Sequence, residues 1–156
     1  MDYYYCNAGL YNPSGGILGS ACVDCPSGRY SGFASTSCAS CPGGKKLTDA
    51  AADEESSACT GCGVGEYSGE SSTSCSSCPA GKKLVSKTAG SQSLACSNCP
   101  SGSYSGVGSL ECTNCAAGKK LVDKETADPA TACTGCVPGT FSLDAYEECT
   151  ICASGK

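Results

Sequence analysis

The residues of this chain that could do chemistry are almost all cysteines, and they come in pairs three positions apart. Cys96-Ser97-Asn98-Cys99 is one such C-x-x-C; Cys22/Cys25, Cys38/Cys41, Cys59/Cys62, Cys75/Cys78, Cys112/Cys115, Cys133/Cys136 and Cys149/Cys152 are the others, with Cys6 alone before them. Three chemistries use this spacing. Two pairs of thiolates can hold a tetrahedral zinc ion, one pair can form a dithiol redox centre, or the two cysteines can belong to different disulfides. The run C-x2-C-x12-C-x2-C over Cys22, Cys25, Cys38 and Cys41 is credible zinc spacing, and four such sites would use sixteen cysteines.

Three features weigh against a metal. Only Cys62 is followed by a glycine that would open backbone donors to a thiolate; the chain has no His to act as an alternative ligand; and the Ser, Thr and Gly content, with its acidic balance, has an extracellular character. A redox centre needs a βαβ setting that the sequence lacks. Disulfides are the expected state, with zinc as the second alternative, and no cofactor or metal is implied.

The elements that must position these cysteines are unusually poor in apolar material. The chain has 156 residues and 17 Cys, no Trp, one Met and two Phe. Cysteine at more than a tenth of all residues marks a stapled scaffold. A chain of this length normally buries one sizeable core, and the scattered Leu, Val and Tyr here cannot supply one, so covalent links must replace it. The net charge of −5, with both signs dispersed, gives no footprint for nucleic acid. No apolar run approaches the roughly 18 residues that span a bilayer. The opening MDYYYC has neither the basic nor the apolar region of a signal peptide.

The cysteines obey one period. Cys22, Cys59, Cys96 and Cys133 are 37 residues apart, and so are the three sets that begin at Cys25, Cys38 and Cys41. A fixed period of this size is the signature of an array of stacked units. The expected divisions are an N-terminal segment with a partial first loop at 1–21, repeats at 22–58, 59–95 and 96–132, and a truncated repeat at 133–156. Both ends enter the pattern midway, as junctions in a longer array would.

Each period holds a short and a long segment. CPSGRYSGFASTSC (Cys25 to Cys38) represents the short form and CPGGKKLTDAAADEESSAC (Cys41 to Cys59) the long form. CNAGLY at Cys6 fits the short form through Gly9 and Tyr11. Every segment places Gly at the third residue after its first Cys, as at Gly28, Gly65, Gly102 and Gly139 or Gly44, Gly81 and Gly118. A glycine at a fixed offset predicts a turn with positive φ. A Tyr-Ser or Lys-Lys-Leu arm then leaves the turn, and a Ser/Thr-rich arm returns to the next Cys. The fold expected is a small disulfide-rich protein, an elongated solenoid-like array of short irregular β-hairpin loops with no large core. Its radius of gyration should exceed the ~15 Å of a compact chain of this length. Helix is excluded by the Gly and Ser clusters, save for one turn near Asp49 to Ser57.

Two pairings suit the period. In the sequential one, the second Cys of each C-x-x-C joins the first of the next, giving Cys6–Cys22, Cys25–Cys38, Cys41–Cys59, Cys62–Cys75, Cys78–Cys96, Cys99–Cys112, Cys115–Cys133 and Cys136–Cys149. Cys152 is then unpaired or intermolecular. In the interleaved one, Cys22–Cys38 and Cys25–Cys41 recur in each repeat and Cys6 is left over. The sequential order treats Cys6 like every other segment and is preferred. Loops of this size contribute about 3 kcal/mol each in the chain-entropy account.

The motif C-P-x-G-x-Y-S…C-x-x-C-P-x-G in tandem resembles the ephrin-receptor-like cysteine-rich repeat and, more distantly, the first loop of tumour-necrosis-factor-receptor modules. The resemblance runs from Cys6 over nearly the whole chain. Such repeats occur in animal receptors and, in long near-identical arrays, in surface proteins of algae and protists. The recurrent Gly-Lys-Lys-Leu is closer to the second group. The resemblance implies an extracellular or cell-surface setting.

Several recurrent side chains carry two readings. Lys45-Lys46, Lys82-Lys83 and Lys119-Lys120 could form a basic stripe for polyanions or acidic glycans; the simpler reading is local pairing with Asp49, Glu54, Asp123 or Glu125. Tyr30, Tyr67, Tyr104 and Phe141 recur in register, and each ring is expected to pack on a neighbouring disulfide rather than form a binding ladder. Tyr3-Tyr4-Tyr5 is either a contact patch or the arm of a preceding loop. Ser35-Thr36-Ser37 and Ser71 to Ser74 could carry O-glycans. No His, no repeat-fixed carboxylate pair and no phosphate-cradling loop assemble into a catalytic site, so no enzyme is expected. The function expected is that of a structural extracellular repeat protein, a subunit of a filament, flagellar appendage or cell-surface coat. Its partners would be copies of itself or further repeats of the same chain, with glycans a further possibility. A receptor- or adhesin-like module that binds a protein or glycan is the alternative.

Overall fold

The computed structural model of the chain describes residues 5–15 and 22–153. Tyr3, Tyr4 and the last residues of CASGK lie outside them. The chain divides into two compact units, Met1–Ser76 with Lys87–Ser91 and Ser77–Ser86 with Gln92–Lys156. Both are built from one theme, a disulfide-closed loop carrying a two-stranded ladder, and eight such ladders occur among the described residues.

Each loop begins with the expected turn. After the first Cys, the carbonyl of Pro26 accepts from Arg29 N–H at 3.0 Å, that of Pro100 from Ser103 N–H at 3.2 Å, and that of Ala116 from Lys119 N–H at 3.0 Å. The glycine sits third in each four-residue turn at φ between 73° and 86°. That is the type II geometry, in which only glycine is unstrained. Gly28 and Gly102 carry a second constraint: a Cβ there would collide with the backbone carbonyl of Ser71 or Ala145.

The return strand differs from the expected one. Lys45–Leu47 pairs with Cys59–Gly61, Lys119–Leu121 with Cys133–Gly135, and Arg29–Tyr30 with Ala39–Ser40, all antiparallel. The partner strand therefore runs on the C-x-x-C itself, whereas the Ser/Thr-rich arm forms the irregular tip of the loop. This placement decides what a C-x-x-C does. Side chains of an extended strand alternate faces, so residues three apart point to opposite sides. The two sulfurs of one motif cannot meet each other or converge on one ion; they are directed into successive loops.

The bonds found follow that rule. Cys6–Cys22, Cys25–Cys38, Cys41–Cys59, Cys62–Cys75, Cys78–Cys96, Cys99–Cys112, Cys115–Cys133 and Cys136–Cys149 are disulfides with Cα separations of 5.6–5.8 Å. This distance is the ordinary one for an unforced bridge. Cys152 is a free, half-buried thiol.

The loops Cys41–Cys59, Cys78–Cys96 and Cys115–Cys133 also contain one turn of helix each: Glu55–Ala58, Gln92–Ala95 and Pro129–Ala132. Only the first was anticipated; it overlaps the end of the expected stretch at residues 55–57. In the third, Asp128 caps the turn by accepting from Ala130 N–H at 2.9 Å, with Pro129 at the first helical position. Pro there needs no N–H partner and is preset for the helix. The helix ends on an alanine packed to 0% exposure, Ala58, Ala95 or Ala132, directly before the closing cysteine.

Candidate functional site: the joint between loops

What the fold repeats with greatest fidelity is a joint between neighbouring loops, and its hub is a serine. Ser31, Ser68, Ser105 and Ser142 follow the aromatic residue in each short loop and are each 4% exposed. Their hydroxyls donate backwards to strand carbonyls of the preceding loop: Ser31 to Leu10 at 2.9 Å, Ser68 to Lys45 at 2.7 Å, Ser105 to Lys82 at 2.8 Å and Ser142 to Lys119 at 2.7 Å. Their carbonyls accept from the turn glycine of that same loop, Gly9, Gly44, Gly81 and Gly118, at 2.8–3.0 Å. Their N–H groups donate forwards, Ser31 to Ala50, Ser68 to Lys87 and Ser105 to Lys124, each at 3.1 Å. One residue thus ties the loop before it to the loop after it. Buried polar groups left unpaired are costly, so the joint has a defined register.

Two further bonds accompany each serine. The turn glycine returns its own carbonyl to a cysteine N–H, as Gly44 to Cys62 at 2.9 Å and Gly81 to Cys99 at 2.9 Å. The carbonyl of the loop-opening cysteine accepts from a left-handed residue: Ala34 donates to Cys6 and Ser71 to Cys41 at 2.9 Å, Gly108 to Cys78 at 2.8 Å, and Ala145 to Cys115 at 2.9 Å. Ala34, Ser71 and Ala145 hold φ of 61°, 58° and 63°, where the equivalent Gly108 is at 69°. A side chain in that region costs about 1–2 kcal/mol, a strain the joint imposes in three loops and relieves with glycine in one.

This network corrects the reading of the first segment. Gly9 and Leu10 occupy the roles of Gly44 and Lys45, and Cys25 N–H donates to Gly9 as Cys62 does to Gly44. Cys6–Cys22 is therefore a loop of the long class. Gly9 and Tyr11 fit either form; the strict alternation of long and short loops along the chain was the signal that would have placed it.

The aromatic residues pack as expected, forwards onto the next long loop. Tyr30 is buried with Cys41, Cys59, Ala52 and Ala58, with Leu47 against them; Tyr104 is buried with Cys115, Cys133 and Ala132, with Leu121 against them. Tyr67 is buried as well, at 8% exposure. Phe141 departs from the set at 46% exposure. Its counterpart of the disulfide under Tyr104 would begin at Cys152, which is an open thiol.

The lysine pairs do not find the acids expected of them. Lys45 Nζ meets Glu55 at 2.7 Å, both ends partly exposed, and this is the one ion pair among the described residues. Asp49 and Asp123 instead accept from Ala51 and Glu125 N–H at 2.8 Å, closing local turns. Of the hydroxyls considered for modification, Ser35 is engaged with the Gly32 carbonyl at 2.8 Å and Ser71 is the strained left-handed residue, while Thr36, Ser37, Thr73 and Ser74 are exposed.

Metal-ligating atoms converge once among the described residues, at Cys62, Glu66 and Cys75. The two sulfurs there are bonded to each other, and a disulfide sulfur is not the thiolate that zinc requires. Eight disulfides belong to an oxidising environment, and no helix of the described residues is long and apolar enough to cross a membrane. No protein-family model and no curated protein matches the chain.

Proposed function

We propose that the chain is a structural repeat protein of an extracellular or cell-surface assembly, a subunit of a filament, flagellar appendage or coat. The observation that carries this reading is the serine joint, made with the same backward bonds at Ser31, Ser68, Ser105 and Ser142. A joint identical at each register lets units be added without changing any of them, so that length follows from number. Disulfides in loops of 13–18 residues, one per loop, keep each unit closed without a large core. The motif resemblance to ephrin-receptor-like repeats in surface arrays points the same way. A module built for one soluble ligand concentrates its binding energy in a few aromatic or Arg anchors, and here Tyr30 and Tyr104 are packed on disulfides while Tyr67 is buried as well. The partner is further repeats of this kind, in the same chain or in neighbouring copies.

Electron microscopy of native material, with the chain located by a bound antibody, tests the reading. Labelled filaments or an ordered coat are the expected result. Dispersed single molecules, each holding one soluble protein or glycan, would replace it with the receptor reading.

A further inference from the structure

Beside the disulfide Cys136–Cys149 the chain has a hollow of about 320 Å³. That is the lower end of the size of small-molecule sites, roughly 300–1,000 Å³. Both cysteines of the bond line it, and both are half-buried. Lys120 reaches it from the hairpin of Lys119–Leu121 with Cys133–Gly135, and Glu148 from the arm that returns to Cys149. All of these residues belong to one compact unit. Lys120 and Glu148 form no ion pair with each other. The hollow therefore gathers a cation, an anion and a disulfide around one space, with both charges left for a third group.

The other short loops lack this combination. At Cys62–Cys75 the place of Thr140 is taken by Glu66, whose carboxylate lies within 4.8 Å of both sulfurs and accepts from Gly63 N–H at 2.9 Å. A thiolate approaching that bond meets a negative charge. The hydroxyl of Thr140 is uncharged and donates to the Val137 carbonyl at 2.7 Å. At Cys99–Cys112 the lysine and glutamate recur as Lys83 and Glu111, but Asn98 stands where the hollow has Gly135. A Cβ on Gly135 would meet nothing within 4 Å, so packing does not demand a glycine there. Its effect is to leave one wall of the hollow without a side chain. At Cys25–Cys38, Tyr11 and Ser37 replace the lysine and the glutamate, and Arg29 replaces Thr140.

We propose that the hollow binds a small zwitterionic thiol of the amino-acid class, its carboxylate on Lys120 and its ammonium on Glu148, and presents it to the Cys136–Cys149 bond. The incoming thiolate forms a new sulfur–sulfur bond with one cysteine, the old bond breaks, and the other cysteine leaves as a thiolate that takes a proton from water. A second thiol molecule that attacks the mixed disulfide releases the remaining cysteine and departs as the small disulfide. Two electrons thus pass from two thiols to the protein bond. The loop so opened carries Ser142, which is bonded to Lys119 of the preceding loop. The site is therefore one of reversible covalent modification, placed at a single joint, and it does not depend on the filament reading.

The probe is L-cysteine, added to the whole chain at neutral pH, quenched with an alkylating agent and read by peptide mapping. The rate at Cys136–Cys149 divided by the rate at Cys99–Cys112 in the same reaction cancels the intrinsic reactivity of the thiol. Contacts between partly exposed charges are individually weak, so this ratio should be about three- to fivefold larger with cysteine than with neutral 2-mercaptoethanol. Lys120→Gln should bring the cysteine ratio down to the mercaptoethanol value. Glu148→Gln should lower the ratio for cysteine yet raise it for mercaptoacetate, which carries the carboxylate alone; a merely structural effect would move both in one direction. Gly135→Asn should bring the ratio close to one. Unaltered circular dichroism before thiol is added would show that the variants are folded. Equal ratios for cysteine and mercaptoethanol in the unaltered chain, or a cysteine ratio unmoved by both charge variants, would overturn the proposal.

Discussion

The hydroxyl of Ser105 donates to the carbonyl of Lys82 across 2.8 Å, from one disulfide loop into the one before it. The hydroxyl is almost wholly enclosed, Ser105 being 4% exposed, so no solvent can replace it when it is removed. Ser105→Ala leaves the Lys82 carbonyl without its side-chain partner and should cost about 1–2 kcal/mol. Ser68→Ala should cost a similar amount, because its bond to Lys45 is the same. Thermal unfolding with all disulfides intact measures both; changes within about 0.3 kcal/mol of zero would show the joint to be held by backbone bonds alone.

The left-handed position makes a prediction of opposite sign. Ala145 and Ser71 hold positive φ so that their N–H groups reach Cys115 and Cys41. Ala145→Gly should stabilise the chain by up to about 1 kcal/mol, the relief of strain exceeding the added freedom of the unfolded state. Gly102→Ala should do the reverse and more strongly, since its Cβ would strike the Ala145 carbonyl. Comparison of the two unfolding midpoints checks both signs at one contact.

The disulfide framework was legible because a 37-residue period with no insertion pins every cysteine to a class. The turn glycines were legible for the same reason. The hub serines were not read, although Tyr-Ser, Tyr-Ser, Tyr-Ser and Phe-Ser stand in the sequence at Tyr30-Ser31, Tyr67-Ser68, Tyr104-Ser105 and Phe141-Ser142. A serine in a Ser-rich chain has no compositional contrast, and its task is a long-range bond to a carbonyl, which leaves no trace in local propensity. The helical turns at Gln92–Ala95 and Pro129–Ala132 were hidden because four residues between fixed anchors form helix through closure of the loop rather than by propensity. The return strand was misplaced for a related reason: nothing in Cys59-Thr60-Gly61 reads as strand until Lys45–Leu47 lies beside it.

Sixteen sulfurs bonded in pairs leave one thiol, Cys152, which predicts how the chain responds to chelation. EDTA in excess should change neither the unfolding midpoint nor the circular dichroism. Alkylation of the unreduced, denatured chain should label one cysteine, recovered in the peptide that contains Cys152. Release of stoichiometric zinc, or labelling of four or more cysteines, would restore the metal reading. A thiol reductant should instead abolish cooperative unfolding, because chains with so little apolar material depend on their crosslinks.

The two loop classes should also differ in how readily they are reduced. A disulfide is opened by attack of a thiolate along the sulfur–sulfur axis, so access to the sulfur governs the rate between otherwise similar bonds. In the long loops Cys41–Cys59 and Cys115–Cys133 that access is closed. Cys41 is 0% and Cys115 1% exposed, each lying under the tyrosine of the preceding short loop, with Cys59 and Cys133 buried beside them. In three of the short loops Cys25 and Cys38, Cys99 and Cys112, and Cys136 and Cys149 are all half-buried and carry no such cover, whereas in the fourth Cys62 is buried at 7% exposure. Limited reduction at neutral pH, quenched with an alkylating agent and read by peptide mapping, should therefore label Cys25, Cys38, Cys99, Cys112, Cys136 and Cys149 before Cys41, Cys59, Cys115 and Cys133. Tyr104→Ala removes the cover from one long loop and should cost about 3 kcal/mol, the usual size for deleting a buried aromatic ring. In that variant Cys115–Cys133 should open with the short-loop bonds, while Cys41–Cys59, still under Tyr30, stays late. Simultaneous labelling of both classes in the unaltered chain would mean that the tyrosines pack on the disulfides without shielding them.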